Sequence, residues 1–166
     1  MPKHLVPELT NQAIGGQSVL YKVFRQALSC LDTDLRRLEI TYFSLSVLGF
    51  ALLLVRTDED KEDLLDDLSL AVLKRSLPSA NESISMANAI AEYQNRFLEY
   101  NQMLGTLLES KSAERPNPYV TILMHAYQSI TGRSARGQMI KISASAAIME
   151  QFIMDQISFV KSLNEP

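Results

Sequence analysis

Two histidines, one cysteine and no tryptophan among 166 residues leave this chain short of the side chains from which most metal centres and nucleophilic sites are assembled. Cys30 has no second cysteine to pair with, which removes an internal disulfide and points to a reducing, cytoplasmic compartment. Its expected role is that of a small apolar filler, because no cationic neighbour is there to stabilise a thiolate. A closed zinc shell takes four side-chain ligands, and a di-iron bundle takes two Glu-x-x-His pairs. His4 lies near the amino terminus and His125 has Ile122 three residues before it, so neither arrangement fits and no metal or other cofactor is expected. A cationic excess is missing too: 19 acidic residues face 16 lysines and arginines, a net charge of -3, which argues against nucleic acid as a partner. The amino-terminal stretch lacks the basic patch and apolar core of a signal peptide, so export is not expected.

A long hydrophobic run is also absent. The uncharged stretch Ile40 to Val55 stops at sixteen residues and contains Thr41, Ser44, Ser46 and Gly49. A membrane helix needs about 20 mainly apolar residues. The stretch therefore reads as the central helix of a soluble domain, with peripheral membrane association through residues 40–55 as an alternative.

What is present is helical periodicity. Tyr21, Phe24, Leu28, Leu31, Leu35, Leu38, Tyr42, Leu45, Gly49 and Leu52 recur at spacings of three and four, which keeps one stripe on one helix face. This allows either one helix over 17–55 or two joined near residue 32. Residues 1–16, with Pro2, Pro7, Gly15 and Gly16, read as a flexible arm preceding a single domain over 17–163. Thr57 followed by Asp58, Glu59 and Asp60 reads as the capped, acidic start of the next helix, which ends basic at Lys74 and Arg75 before Pro78. Ser79 and Glu82 have capping-box spacing ahead of a helix expected to reach about Lys111, with Met86, Ile90, Tyr93, Phe97, Tyr100, Leu104 and Leu107 along its seam. Asn117 and Pro118 suit a helix start and Gly132 a helix end. Ser134 is placed as the cap of a last helix running to about Leu163, with Met139, Ile142, Ala146, Met149, Ile153 and Val160 inward. Short connections join antiparallel neighbours, so the expected fold is an all-α antiparallel bundle of about five to six helices around a hydrophobic central helix.

Motifs with chemistry are few. Asp58 to Asp67 holds seven carboxylates, but a calcium loop wants glycine at its sixth position and glutamate at its twelfth, where this chain has Asp63 and Ser69. Gly132 to Met139 has the glycine spacing of a phosphate loop, yet Gln138 and Met139 stand where lysine and a hydroxyl are required. No catalytic residue is assigned and the chain reads as non-enzymatic. From Arg115 through Met149 the chain contains no Asp or Glu, while Arg133, Arg136 and Lys141 are cationic, so Arg133, Ser134, Arg136 and Lys141 form a candidate anion-binding helix start. Tyr93, Tyr100 and His125 are the residues most suited to line an accompanying ligand pocket. The leading expectation is work through protein–protein contact, as a homodimer, adaptor or chaperone-like binder, with a small-molecule or anion-binding bundle as the alternative.

Overall fold

A computed structural model describes residues 3–27, 34–77, 84–109, 117–132 and 134–163. Seven α-helices and no strand occur among the described residues: α1 (Val6–Ala27), α2 (Asp34–Val55), α3 (Lys61–Ser76), α4 (Met86–Gly105), α5 (Pro118–Thr131), α6 (Met139–Ala144) and α7 (Ala146–Ser162). Short 3-10 turns at Lys3–Leu5, Thr106–Leu108 and Ala135–Gln138 precede or extend them. The fold is the all-α helical bundle that the periodicity implies.

Helix α2 is the axis. Every residue from Ile40 to Leu52 is buried, and α1, α3, α4, α5 and α7 all pack against it. An amphipathic helix has one dry face; this one is dry all round, which is why its sequence shows hardly any polar face. By length and composition Arg37–Val55 would suffice to cross a membrane, but 78% of that window is buried inside the fold. Two of its hydroxyl residues bond to backbone carbonyls: Ser44 donates to the Ala13 carbonyl of α1 at 2.7 Å, and Thr41 donates to Arg37 one turn back at 3.1 Å, whereas the buried Ser46 hydroxyl has no hydrogen-bond partner among the described residues.

The amino-terminal segment differs from expectation. It is not an arm: α1 begins at Val6, and Leu5, Leu9, Ala13, Leu20, Val23 and Phe24 are buried. Pro7 lies in the first turn, where its missing N–H leaves no bond unmade. Gly16 permits close packing, since a Cβ there would lie 2.9 Å from the Phe152 ring and 3.1 Å from Ser44 Oγ. The long stripe over residues 17–55 resolves into two helices, α1 and α2. Their junction, with Cys30 and the central part of that stripe, lies outside the described residues.

Two caps also fall elsewhere. Helix α3 starts at Lys61, preceded by Asp60 with no side-chain cap, so Thr57 is not its N-cap. Asp58 is taken up instead by Arg56, whose Nε donates to it at 2.8 Å and whose Nη2 donates to its second oxygen. Helix α4 is capped by Ser85, which accepts from the Asn88 N–H at 3.2 Å, while Ser79 and Glu82 lie outside the described residues. Along α4 the expected seam holds: Tyr93, Tyr100 and Leu104 are buried, and Met86, Ile90, Phe97 and Leu107 pack against the core. Asn117 caps α5 by accepting from the Tyr119 N–H at 2.9 Å, with Pro118 as first residue and Gly132 closing it in the left-handed region at φ 65°.

The last helix is not continuous. Ser134 caps the 3-10 turn Ala135–Gln138, and α6 and α7 are separate helices on either side of Ser145. Buried Ser145 sends both its N–H and its hydroxyl to the Lys141 carbonyl, each at 3.2 Å, a back-bonded arrangement that bends helices. The break turns Met139 outward, to 37% exposure, whereas Ile142, Ala146, Met149, Ile153 and Val160 face the core.

A close helix contact lies at Gly49 of α2, where an added Cβ would lie 2.7 Å from Phe97 Cε2 and 3.2 Å from Leu65 Cδ2. Alanine is the better helix former, but overpacking costs about 1–3 kcal/mol, which outweighs the roughly 1 kcal/mol of helix propensity gained. Gly49→Ala is therefore expected to lower the urea midpoint with an unchanged m-value; a raised midpoint would show that Phe97 yields freely.

Candidate functional site

Two of the residues marked by the sequence, Tyr100 and His125, meet at the α2–α4–α5 contact. Tyr100 of α4 is fully buried, with its ring edge-on to Phe43 of α2 at 4.8 Å and to His125 of α5 at 5.5 Å between centroids. Tyr93, two turns earlier, stacks obliquely on Tyr42 and Phe97 at 6.3 and 5.7 Å. The hydroxyls of Tyr93 and Tyr100 are both buried without a hydrogen bond of good geometry among the described residues, although Ser129 of α5 approaches Tyr100. Burial pushes both phenols well above their ordinary range, so they remain neutral.

Beside these rings lies a charge cluster that the sequence reading had not marked. Arg96 of α4 grips Glu39 of α2 through Nε at 3.0 Å and Nη2 at 3.1 Å, and also contacts Glu92 at 3.3 Å and Glu99 at 3.1 Å. His125 Nε2 meets the same Glu99 oxygen at 3.1 Å. Burial pushes the Glu39 carboxyl above the usual range, with Glu92 and Glu99 adding to the rise, and the Arg96 hydrogen bond and charge only partly offset it. For Glu99 burial also acts upward, but hydrogen bonds from His125 and Arg96 outweigh it and hold the carboxyl below its ordinary value. The cluster is satisfied from within. Among the described residues His125 engages Glu99, and the arrangement ties three helices together.

The cationic helix start does not join this cluster. Arg133 lies outside the described residues. Ser134, Arg136 and Lys141 are exposed, and the Ser134 hydroxyl accepts from the Arg136 N–H at 3.4 Å. No hydrogen bond, ion pair or ring contact among the described residues links them to Tyr93, Tyr100 or His125.

An open groove lies on another face, between α1 and α7, with a volume of about 470 Å³. Its floor is Phe152 above Gly16, and Gly15, Val19, Ala147 and Ile148 form its flanks. Val19 and Ile148 are 38% and 41% exposed, while a Cβ at Gly15 would meet nothing within 4 Å. Gln12, Gln151, Asp155 and Gln156 complete the lining; Gln151 donates to Asp155 at 2.6 Å, and no lysine or arginine takes part. Apolar knobs beside an open notch suit side chains of another helix. The sequence matches no family model, no curated protein and no solved structure.

The charge cluster carries a pH signature. Glu39, with its raised folded pKa, binds its proton more tightly when folded, so its ionisation removes stability as pH rises above the unfolded value. Glu99, with its lowered pKa, contributes stability above its unfolded value that is lost as pH falls through the folded one, so the two oppose each other. Arg96→Met leaves Glu39 without its partner and is expected to cost about 2–3 kcal/mol at pH 7, short of the roughly 3–5 of a fully buried pair. Part of that loss is expected to return on acidification toward pH 5 as Glu39 takes a proton. Urea denaturation across this range checks it; a deficit that does not change with pH would exclude Glu39 as its source.

Proposed function

We propose that this chain is a non-enzymatic protein-contact module that docks a second copy of itself across the α1–α7 groove. The observation that carries the reading is the groove's self-complementary character: exposed Ile148 and Val19 stand beside the open notch over Gly15. A two-fold interface requires one patch to contain both knob and hole, because each residue that inserts must also receive. A nearly neutral lining supports the same occupant, since two copies of a strongly charged groove would repel. Asp155 is its one charged residue, and Gln151 donates to it. Helix α6, which also packs against α1, adds Ile140 at 89% exposure, extending apolar surface beyond the groove. Such extension matters because stable dimers bury about 800 Å² per partner. The saturated Glu39–Arg96–Glu99–His125 cluster supports a structural rather than chemical role for the bundle interior.

Sedimentation equilibrium tests this. The native chain is expected to show a mass of twice 18.6 kDa that falls toward the monomer on dilution. Ile148→Glu removes an apolar knob at each of two symmetric contacts, about 1.5–3 kcal/mol apiece, so the dimer dissociation constant is expected to rise about a hundredfold or more. Gly15→Glu fills the notch with a charge while improving helix propensity, so it weakens association without unfolding the monomer. A native chain that stays monomeric at high concentration, or variants that dimerise unchanged, would refute the reading.

A further inference from the structure

A second cavity, of about 200 Å³, opens where α1, α2 and the end of α3 converge, away from α7. Its wall is divided chemically. Gln17, Arg37 and Arg75 contribute polar groups, whereas Ile14, Leu38 and Ile84 contribute aliphatic surface, and no carboxylate among the described residues lines it. Arg75 Nη1 donates to Asn11 Oδ1 at 2.8 Å, a neutral acceptor that orients the guanidinium without cancelling its charge. Gln17 Nε2 is buried and makes no hydrogen bond among the described residues. A buried amide donor left unpaired is costly, and an acceptor atom brought by a ligand relieves that cost.

We propose that this cavity is a binding site for a small aliphatic monocarboxylate. The carboxylate faces Arg75 and the Gln17 amide, and the alkyl body lies against Ile14, Leu38 and Ile84. Guanidinium groups present a planar fork that matches a carboxylate. Inorganic phosphate is the poorer fit, because its oxygens point in all directions and some would be left against the aliphatic wall without partners. The cavity corresponds to about seven waters' share of liquid volume, room for a carboxylate on a body of about five or six carbons. This site stands apart from the α1–α7 groove, and its occupancy does not depend on self-association.

The test uses the full chain with sodium hexanoate, hexanamide and inorganic phosphate as probes. In ¹H–¹⁵N spectra, hexanoate up to ~10 mM is expected to move the Gln17 side-chain amide in a saturating manner and to raise the melting temperature. Hexanamide, of the same shape without the charge, and phosphate are expected to do neither. Arg75→Gln, at an exposed position, is expected to weaken hexanoate binding about tenfold. Gln17→Leu is expected to weaken it as well while stabilising the unliganded chain, an opposite pair of effects that a purely structural glutamine would not produce. Equal responses to hexanoate and hexanamide, a response to phosphate in place of hexanoate, no response to hexanoate at all, or undiminished binding by Arg75→Gln would each overturn the assignment.

Discussion

Burial of α2 on every side is the constraint from which the rest of the structure follows. Thirteen successive residues, Ile40 to Leu52, are withdrawn from water, so five other helices must supply matching surfaces around one cylinder. Where two of them approach closely, the chain removes side-chain volume: Gly49 admits the Phe97 ring of α4, and Gly16 of α1 admits Phe152 of α7 beside Ser44. Dense packing leaves little freedom in such places, because a single methyl group has nowhere to go. The Ser44 hydroxyl adds direction to this, since its bond to the Ala13 carbonyl sets the register of α1 on α2 in a way that apolar contact alone does not.

The charge cluster at the upper end of α2 works by a different logic. Arg96 faces three carboxylates, and of these Glu39 is the most deeply placed. Burial there costs more than the arginine returns, which is the meaning of the raised Glu39 carboxyl. Glu39, Arg96 and His125 come from α2, α4 and α5, so the cluster links the positions of those three helices. Tyr93 and Tyr100 add ring area to the same contact while leaving their hydroxyls poorly matched. The bundle accepts that cost within a region where aromatic packing is otherwise extensive.

Outside this core, the chain leaves two kinds of surface. The α1–α7 groove is apolar and nearly neutral, which underlies the proposed docking of a second copy. The cavity by Arg37 and Arg75 is divided between charge and hydrocarbon, which underlies the proposed carboxylate site. Their separation on opposite sides of α1 lets a single helix contribute to both. Gly15 and Val19 look one way; Ile14 and Gln17 look the other.

Period and capping chemistry made the bundle legible from residues alone. The stripe on α4, the Asn117–Pro118 start and the Gly132 stop are local facts, each decided within a turn or two by sterics and hydrogen bonding. The dry run in α2 could be recognised as core because its stripe continued that of a flanking amphipathic segment. Local rules failed where a distant residue intervened. Pro7, Gly15 and Gly16 looked like breakers until Phe152 and Ser44 gave Gly16 a reason to lack a side chain, and the last helix looked continuous until buried Ser145 bent it. Glu92, Arg96 and Glu99 could be paired from helical spacing, but Glu39 lies 57 residues from Arg96 and nothing in a local pattern announces it. The sequence by itself therefore determined the all-α class, the central helix and several helix ends, since these depend on short-range periodicity and composition. Tertiary structure alone decided which polar groups meet and where the surface stays open, because helix packing brings together residues whose separation along the chain carries no record of their contact.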